Sequence, residues 1–270
     1  MRIGIVGLGL IGGSLGLALR ALSHSVEVVG VARTPEGAAA AMQRGAVDVA
    51  TAEHTMLRDC DIVVIATPID AVRRALEQVA AAVPGRTVMT DVASVKMPVI
   101  EWAGRAMRRE RFLGGHPVAG KAESGLGAAD PGIFRGEPWI FTPLKDQPLE
   151  PFAPWLELVT AIGARPVYLS AQEHDRQMGY LSHLAFTVSA AFARTVDEHA
   201  DHRLGGPGYR SMVRLATGDA SMYDDIAREN RGALLQALDQ FAQTLQHYRE
   251  RIASAEHLQG LFESGKHVAV

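Results

Sequence analysis

Two short segments carry groups suited to proton and hydride chemistry: Thr90-Asp91-Val92-Ala93-Ser94-Val95-Lys96 and Gly114-Gly115-His116-Pro117-Val118-Ala119-Gly120. The imidazole of His116 titrates near neutral pH in its ordinary state, so it is a natural base for an alcohol proton. Ser94 stands where it either helps orient a substrate or caps the helix that follows. Lys96 either adds positive charge to such a site or faces solvent from the first helical turn. Much later, Arg210 and Arg214 are four residues apart. On a helix they would share a face and present two guanidinium forks to a dicarboxylate.

A third segment supplies the oxidant's binding site. The apolar run Ile3-Gly4-Ile5-Val6 leads into Gly7-Leu8-Gly9-Leu10-Ile11-Gly12 and then into the helix-like Leu15-Gly16-Leu17-Ala18-Leu19. A strand, a G-x-G-x-x-G turn and a helix in that order form the dinucleotide fingerprint. Gly7 permits the tight turn, Gly9 lets backbone approach a pyrophosphate, and Gly12 allows close helix packing. Leu10 and Ile11 open the helix whose free N–H groups and positive end face the phosphates. The residue that reads the adenine ribose is expected about 20 positions past the last glycine. That count lands on Ala32, followed by Arg33 and Thr34. Without a carboxylate to repel a 2′-phosphate, and with Arg33 and Thr34 as phosphate partners, NADP is favoured over NAD by a small margin.

The elements that must position these groups alternate. Strand patterns at 26–31, 61–66 and 87–90 alternate with helical patterns at 35–44, 69–83 and 97–109, and 112–115 leads to a loop holding His116. This is the rhythm of an α/β, Rossmann-like doubly wound parallel sheet. Ligands in such sheets sit outside the carboxyl ends of the strands. The loops at Gly7, Thr67-Pro68, Asp91 and His116 therefore line one crevice, with Thr67 and Pro68 beside the cofactor. A first domain is read over 1–169, ending in 139–142, a helix near 152–162 and a strand at 166–169. The remainder, 170–270, reads as an all-α domain. Helical runs at 171–199 and 223–255 flank a Gly205-Gly206-Pro207-Gly208 loop, and the domain serves substrate binding, dimerisation, or both.

Taken together, these segments resemble the prephenate/arogenate dehydrogenase family, whose members show a Gly-Leu-Gly-Leu-Ile-Gly start, an Asp-x-x-Ser-x-Lys segment and a Gly-Gly-His-Pro-x-Ala-Gly loop in this order. The resemblance extends through Glu173-His174-Asp175, Ser182-His183-Leu184 and Tyr209-Arg210-Ser211-Met212-Val213-Arg214. It implies oxidative decarboxylation of prephenate to 4-hydroxyphenylpyruvate with NAD(P) in tyrosine biosynthesis. By the same resemblance His116 is the base or hydrogen-bond acceptor, Ser94 orients it and the substrate hydroxyl, and His183 lies near the substrate. Arg214, with Arg210 assisting, binds substrate carboxylate. Lys121-Ala122-Glu123 departs from the family's Thr-Glu where the substrate side chain would lie. Lys121 is therefore a candidate substrate contact, and prephenate versus arogenate stays open.

With 270 residues, 47% apolar and 21% charged, the composition is that of a folded globular protein. A net charge of −3 offers no general field for nucleic acid or an anionic membrane. The single cysteine, Cys60, excludes an intramolecular disulfide and a cysteine-based metal cluster, and no metal site is read. No apolar run reaches the roughly 20 residues of a membrane span. The first strand begins at residue 2, which leaves no room for a signal peptide, so a cytoplasmic homodimer joined through the helical half is expected. Two other readings remain. Another two-domain NADP-dependent hydroxyacid or imine oxidoreductase leaves the Asp91/Ser94/Lys96 and His116 segments unexplained. A non-enzymatic NADP-binding redox sensor needs neither a crevice histidine nor paired arginines.

Overall fold

β-Branched residues buried on both faces build the central strands. In β1 (Arg2–Val6) Ile3 and Ile5 point to one side and Val6 to the other; in β4 (Ile62–Ile65) Ile62 and Val64 oppose Val63 and Ile65. Two apolar layers result, as a sheet covered by helices on both faces requires. The computed structural model describes residues 1–22, 26–121, 123–254, 260 and 263.

With β2 (Glu27–Val31), β3 (Val49–Thr51), β5 (Val88–Asp91), β6 (Phe112–Pro117), β7 (Pro138–Thr142) and β8 (Arg165–Tyr168), the sheet has the order β3-β2-β1-β4-β5-β6-β7-β8. The first six strands are parallel. β7 pairs antiparallel with β6, and β8 runs parallel to β7. Helices α1 (Leu10–Leu22), α2 (Pro35–Gln43) and α5 (Ala153–Ala161) cover one face through Leu15, Leu19, Ala41 and Trp155. Helices α3 (Ile69–Ala82) and α4 (Met97–Ala106) cover the other through Val72, Leu76, Val79 and Val99. Each such fully buried large aliphatic side chain contributes about 1.5–3 kcal/mol.

From Ala171 onward the described chain is helical. It comprises α6 (Ala171–Met178), a π turn (Gly179–Leu184), α7 (Ala185–His199), α8 (Pro207–Val213), α9 (Ala220–Glu229) and α10 (Arg231–Ala253). Ile226 of α9 enters the apolar layer that holds α3 and α4, so the helical half docks on that face of the sheet. The expected end of the last helix, at 255, and most of the stretch to 270 lie outside the described residues.

Four expectations change. His116 sits inside β6, opposite Ile140 of β7, not in a loop. A Gly-Gly-His-Pro run has little strand preference of its own, and pairing with a strand 20 residues later overrides it. The helix expected over 97–109 stops at Ala106. The Gly-rich segment read as loop starts a helix, with Pro207 in the first turn where its fixed φ suits. The run read as one helix over 223–255 is broken at Asn230, which caps α9.

Candidate active site

The dinucleotide turn is built as its glycines require. Gly7 has φ of 95°, a conformation that glycine adopts without steric cost. A Cβ on Gly12 would lie 1.9 Å from the Gly7 carbonyl oxygen, so α1 approaches the strand this closely only with glycine there. At Gly9 nothing lies within 4 Å of the Cβ position, leaving the backbone at the start of α1 open. Leu10 and Ile11 form the first turn, whose N–H groups lack intrahelical partners. Beyond the neighbouring β4, the Thr67 hydroxyl is buried without a hydrogen-bond partner, and Pro68 leads into α3. An open glycine cradle and an unpartnered hydroxyl at adjacent strand ends fit a bound dinucleotide.

Ala32 is buried directly after β2, and Arg33 follows with an exposed side chain. The Thr34 hydroxyl caps α2, accepting from the Gly37 N–H at 3.1 Å, which leaves its own proton to donate.

Two strands further along the sheet, a charged knot closes the cleft. Lys96 is fully buried, not solvent-facing: its ammonium donates to Asp91 Oδ2 and, at 2.7 Å, to the Gly115 carbonyl. Asp91 also accepts from the N–H groups of Gly115 and Ala93, both at 3.0 Å. Burial lowers the Lys96 pKa, against the opposing pull of Asp91. The pair thereby locks β5, β6 and the start of α4 together.

Helix α4 has no cap of its own, because Lys96 occupies the cap position. Its exposed donors are met from the helical half. Asp175 of α6 accepts from the Lys96 N–H at 2.7 Å and from the Met97 N–H at 2.8 Å. A carboxylate at a helix N-terminus is favoured by both hydrogen bonding and the dipole. Ser94 is thus not the cap. It is half-buried, and its hydroxyl has no hydrogen bond among the described residues.

Asp175 also begins a chain of histidines. Its Oδ1 lies 2.7 Å from His174 Nδ1, and His174 Nε2 lies 2.8 Å from His116 Nδ1. Burial, helped by His174, Lys96 and His183, holds the His116 pKa well below the ordinary value. Burial lowers His174 as well, although its hydrogen bond to the Asp175 carboxylate works against this. His183, on the π turn, is buried with its Nδ1 3.1 Å from Asn230 Nδ2 and its Nε2 unpartnered. Its pKa falls to about 4, chiefly through burial. π turns recur at functional sites because they break helical register locally.

The remaining sequence candidates lie elsewhere. Lys121 pairs with Asp130 at 2.9 Å. The Asp130 N–H in turn donates to Ser14 Oγ on α1, so this loop folds back over the dinucleotide helix. Arg210 and Arg214 lie at the end of α8, both exposed, with Arg210 donating to the Gly205 carbonyl at 3.0 Å. Among the described residues no hydrogen bond or ion pair joins them to His116, Ser94 or His183. Reading residues alone missed Asn230 and the roles of His174 and Asp175. The capping pair Ser170 and Glu173 announced their helix, with Ser170 Oγ accepting from the Glu173 N–H at 3.1 Å.

Two family descriptions match this chain: "Prephenate dehydrogenase, nucleotide-binding domain" over residues 15–168 and "Prephenate dehydrogenase, dimerization domain" over 170–264. The chain belongs to the prephenate dehydrogenase family. The family's prephenate dehydrogenase from Bacillus subtilis is 29% identical, covering 97% of this chain and 73% of its own length. Prephenate dehydrogenase from A. aeolicus, solved with hydroxyphenyl propionate and NAD+, superposes with a TM-score of 0.92 at 26% identity, over 98% of this chain and 96% of its own. Synechocystis arogenate dehydrogenase gives 0.86 at 29% identity, over 98% of each chain. The family is one of dehydrogenases, which makes the chain an oxidoreductase. No helix among the described residues is long and apolar enough to cross a membrane.

Lys96→Met keeps the length of the side chain and removes the charge, leaving the Asp91 carboxylate buried without its cation. We expect a loss of about 3–5 kcal/mol in urea unfolding. Combining it with Asp91→Asn should cost less than the two single changes added together. A Lys96→Met protein as stable as the parent would show that the pair holds nothing.

Proposed function

We propose that the protein oxidatively decarboxylates prephenate to 4-hydroxyphenylpyruvate, using NAD(P)+, in tyrosine biosynthesis. The observation that carries this reading is the state of His116. It is buried, neutral and held through Nδ1 by His174, which leaves Nε2 as an acceptor at the end of a strand beside the dinucleotide cleft. When bound, the nicotinamide accepts the hydride from the ring carbon bearing the hydroxyl. His116 takes the hydroxyl proton and returns it to the same oxygen once the ring carboxylate has left as CO2 and the ring is aromatic. Ser94, with its free hydroxyl two residues before Lys96, orients that oxygen. His183 offers its unpartnered Nε2 to the substrate. Arg214 and Arg210 are its carboxylate partners, supported by two exposed guanidinium groups within one helical turn. The place of Lys121 as a side-chain contact is weakened by its ion pair with Asp130.

For the cofactor, the absence of an acid at Ala32 and the exposed Arg33 favour NADP. The protein works as a homodimer through its helical half. Leu181, Leu235, Leu245 and Ile252 there are 70%, 49%, 51% and 56% exposed, an apolar surface suited to a second copy.

Turnover of prephenate and of arogenate, each with NAD+ and NADP+, tests the activity directly; no turnover of either would overturn it. His116→Asn should lower kcat by about 10²-fold or more, with dinucleotide affinity kept. Since catalysis needs neutral His116 and its pKa lies below 6.5, the rate should hold through pH 6.5 and fall only in more acidic solution. A rate that already halves near pH 7 would contradict this.

Arg33→Ala should weaken NADP+ about tenfold while leaving NAD+ within a factor of about two, since one charge-assisted contact contributes about 1.5–3 kcal/mol. Ala32→Asp should favour NAD+. Unchanged affinities for both nucleotides in Arg33→Ala would remove Arg33 from the site.

A further inference from the structure

Asp175 reaches both buried histidines, by two different atoms and through two different intermediaries. On one side its carboxylate can only accept, so His174 Nδ1, 2.7 Å away, carries a proton. In a neutral imidazole the other nitrogen is then an acceptor. His174 Nε2 therefore receives a hydrogen bond from His116 Nδ1 at 2.8 Å, and the proton of neutral His116 is confined to Nδ1. Its Nε2 is left with a lone pair.

On the other side the Asp175 backbone carbonyl, which also can only accept, lies 2.7 Å from the side chain of Asn230. The atom facing it is accordingly the amide nitrogen. The second proton of that amide points to His183 Nδ1 at 3.1 Å, so Nδ1 accepts and the proton of neutral His183 sits on Nε2. That N–H is buried with no partner, in a residue 2% exposed. A buried unsatisfied donor costs about 1–3 kcal/mol, a cost that a substrate oxygen accepting from it would relieve.

The geometry points to Asp175 as a positioning hub that, through His174 and Asn230, fixes His116 as a hydrogen-bond acceptor and His183 as a hydrogen-bond donor. The assignment rests on the activity proposed above for its kinetic consequences, but not for its structural content. Deprotonating a hydroxyl needs an acceptor, whereas holding an anionic substrate oxygen needs a donor. Two histidines free to exchange tautomers would each spend part of their time in the wrong role. Because Asp175 also caps α4, the same residue couples these roles to the docking of the helical half on the sheet. The charged and titratable groups facing the two rings are Lys96, His174 and His183 for His116, and Asp175 and His174 for His183; apart from His174, none of them accepts from His116 Nδ1 among the described hydrogen bonds.

The first test needs no activity. In ¹⁵N-histidine spectra of the whole protein near pH 7, assigned by the signals missing in His116→Asn and His183→Asn, His116 should be the Nδ1–H tautomer and His183 the Nε2–H tautomer. Matching tautomers, or the reverse pair, would overturn the inference even if prephenate is turned over. The second test separates positioning from folding. His174→Phe removes the acceptor and should lower kcat at least about tenfold, with KM and dinucleotide affinity within about threefold. His174→Gln, whose amide oxygen can accept from His116, should recover most of that loss. Asn230→Leu should instead raise KM about tenfold or more with kcat little changed. A His174→Phe enzyme with wild-type kcat would refute the hub. So would equal losses in both His174 variants that follow their melting temperatures.

Discussion

One lysine ammonium, wholly withdrawn from water, sets the arrangement of everything on the cleft side of this sheet. Lys96 is the first residue of the turn into α4, yet its side chain runs back between Asp91, at the end of β5, and the Gly115 carbonyl in β6. Burying a charge costs several kcal/mol unless it is paired and its donors are used. Here Asp91 and the Gly115 carbonyl accept from it, and Asp91 in turn is filled by two backbone N–H groups. The constraint propagates. Gly115 is held from both its N–H and its carbonyl, and the next residue, His116, is therefore fixed in direction by backbone bonds that do not involve its own side chain.

The second tie runs between the halves. Asp175 completes the uncapped start of α4 and, through the adjacent His174, meets His116. A carboxylate from the helical half thus finishes a helix of the sheet half, and the contact that joins the two is also the contact that orients the reactive imidazole. Separating them would expose the α4 donors and leave His116 without its hydrogen-bond partner. The docked helical half therefore completes the site.

Much of this architecture was legible in residue pattern. The alternation of short β-branched runs with amphipathic helices gave β1, β2, β4 and β5 and their covering helices to within a few residues, but not the three-residue β3 at the sheet edge. Gly7 takes the positive φ and Gly12 the close helix approach that the fingerprint predicts for them. Where the reading departed from the structure, local preference and tertiary pairing disagreed. Gly-Gly-His-Pro looks like a loop, but becomes strand when β7 pairs with it. Lys96 by sequence either serves the site or faces solvent, since nothing nearby in sequence reveals that Gly115 waits 19 residues away. Of the two readings of Ser94, orienting a substrate or capping α4, the second falls because the cap comes from Asp175.

What the sequence by itself determined is the set of chemical parts and the strand ends that carry them, because turn glycines, apolar periodicity and the order of motifs are local properties. It also determined the family, since the ordered motifs are more specific together than any one alone. What only the tertiary structure decided is which partner each polar group has. The tautomers of His116 and His183, the burial of Lys96 and the role of Asn230 depend on contacts across 19 to 79 residues of chain. A hydrogen bond is directional and short-ranged, whereas sequence spacing constrains only groups on one element. The chemistry of these side chains therefore becomes definite only when the sheet and the helical half pack against each other.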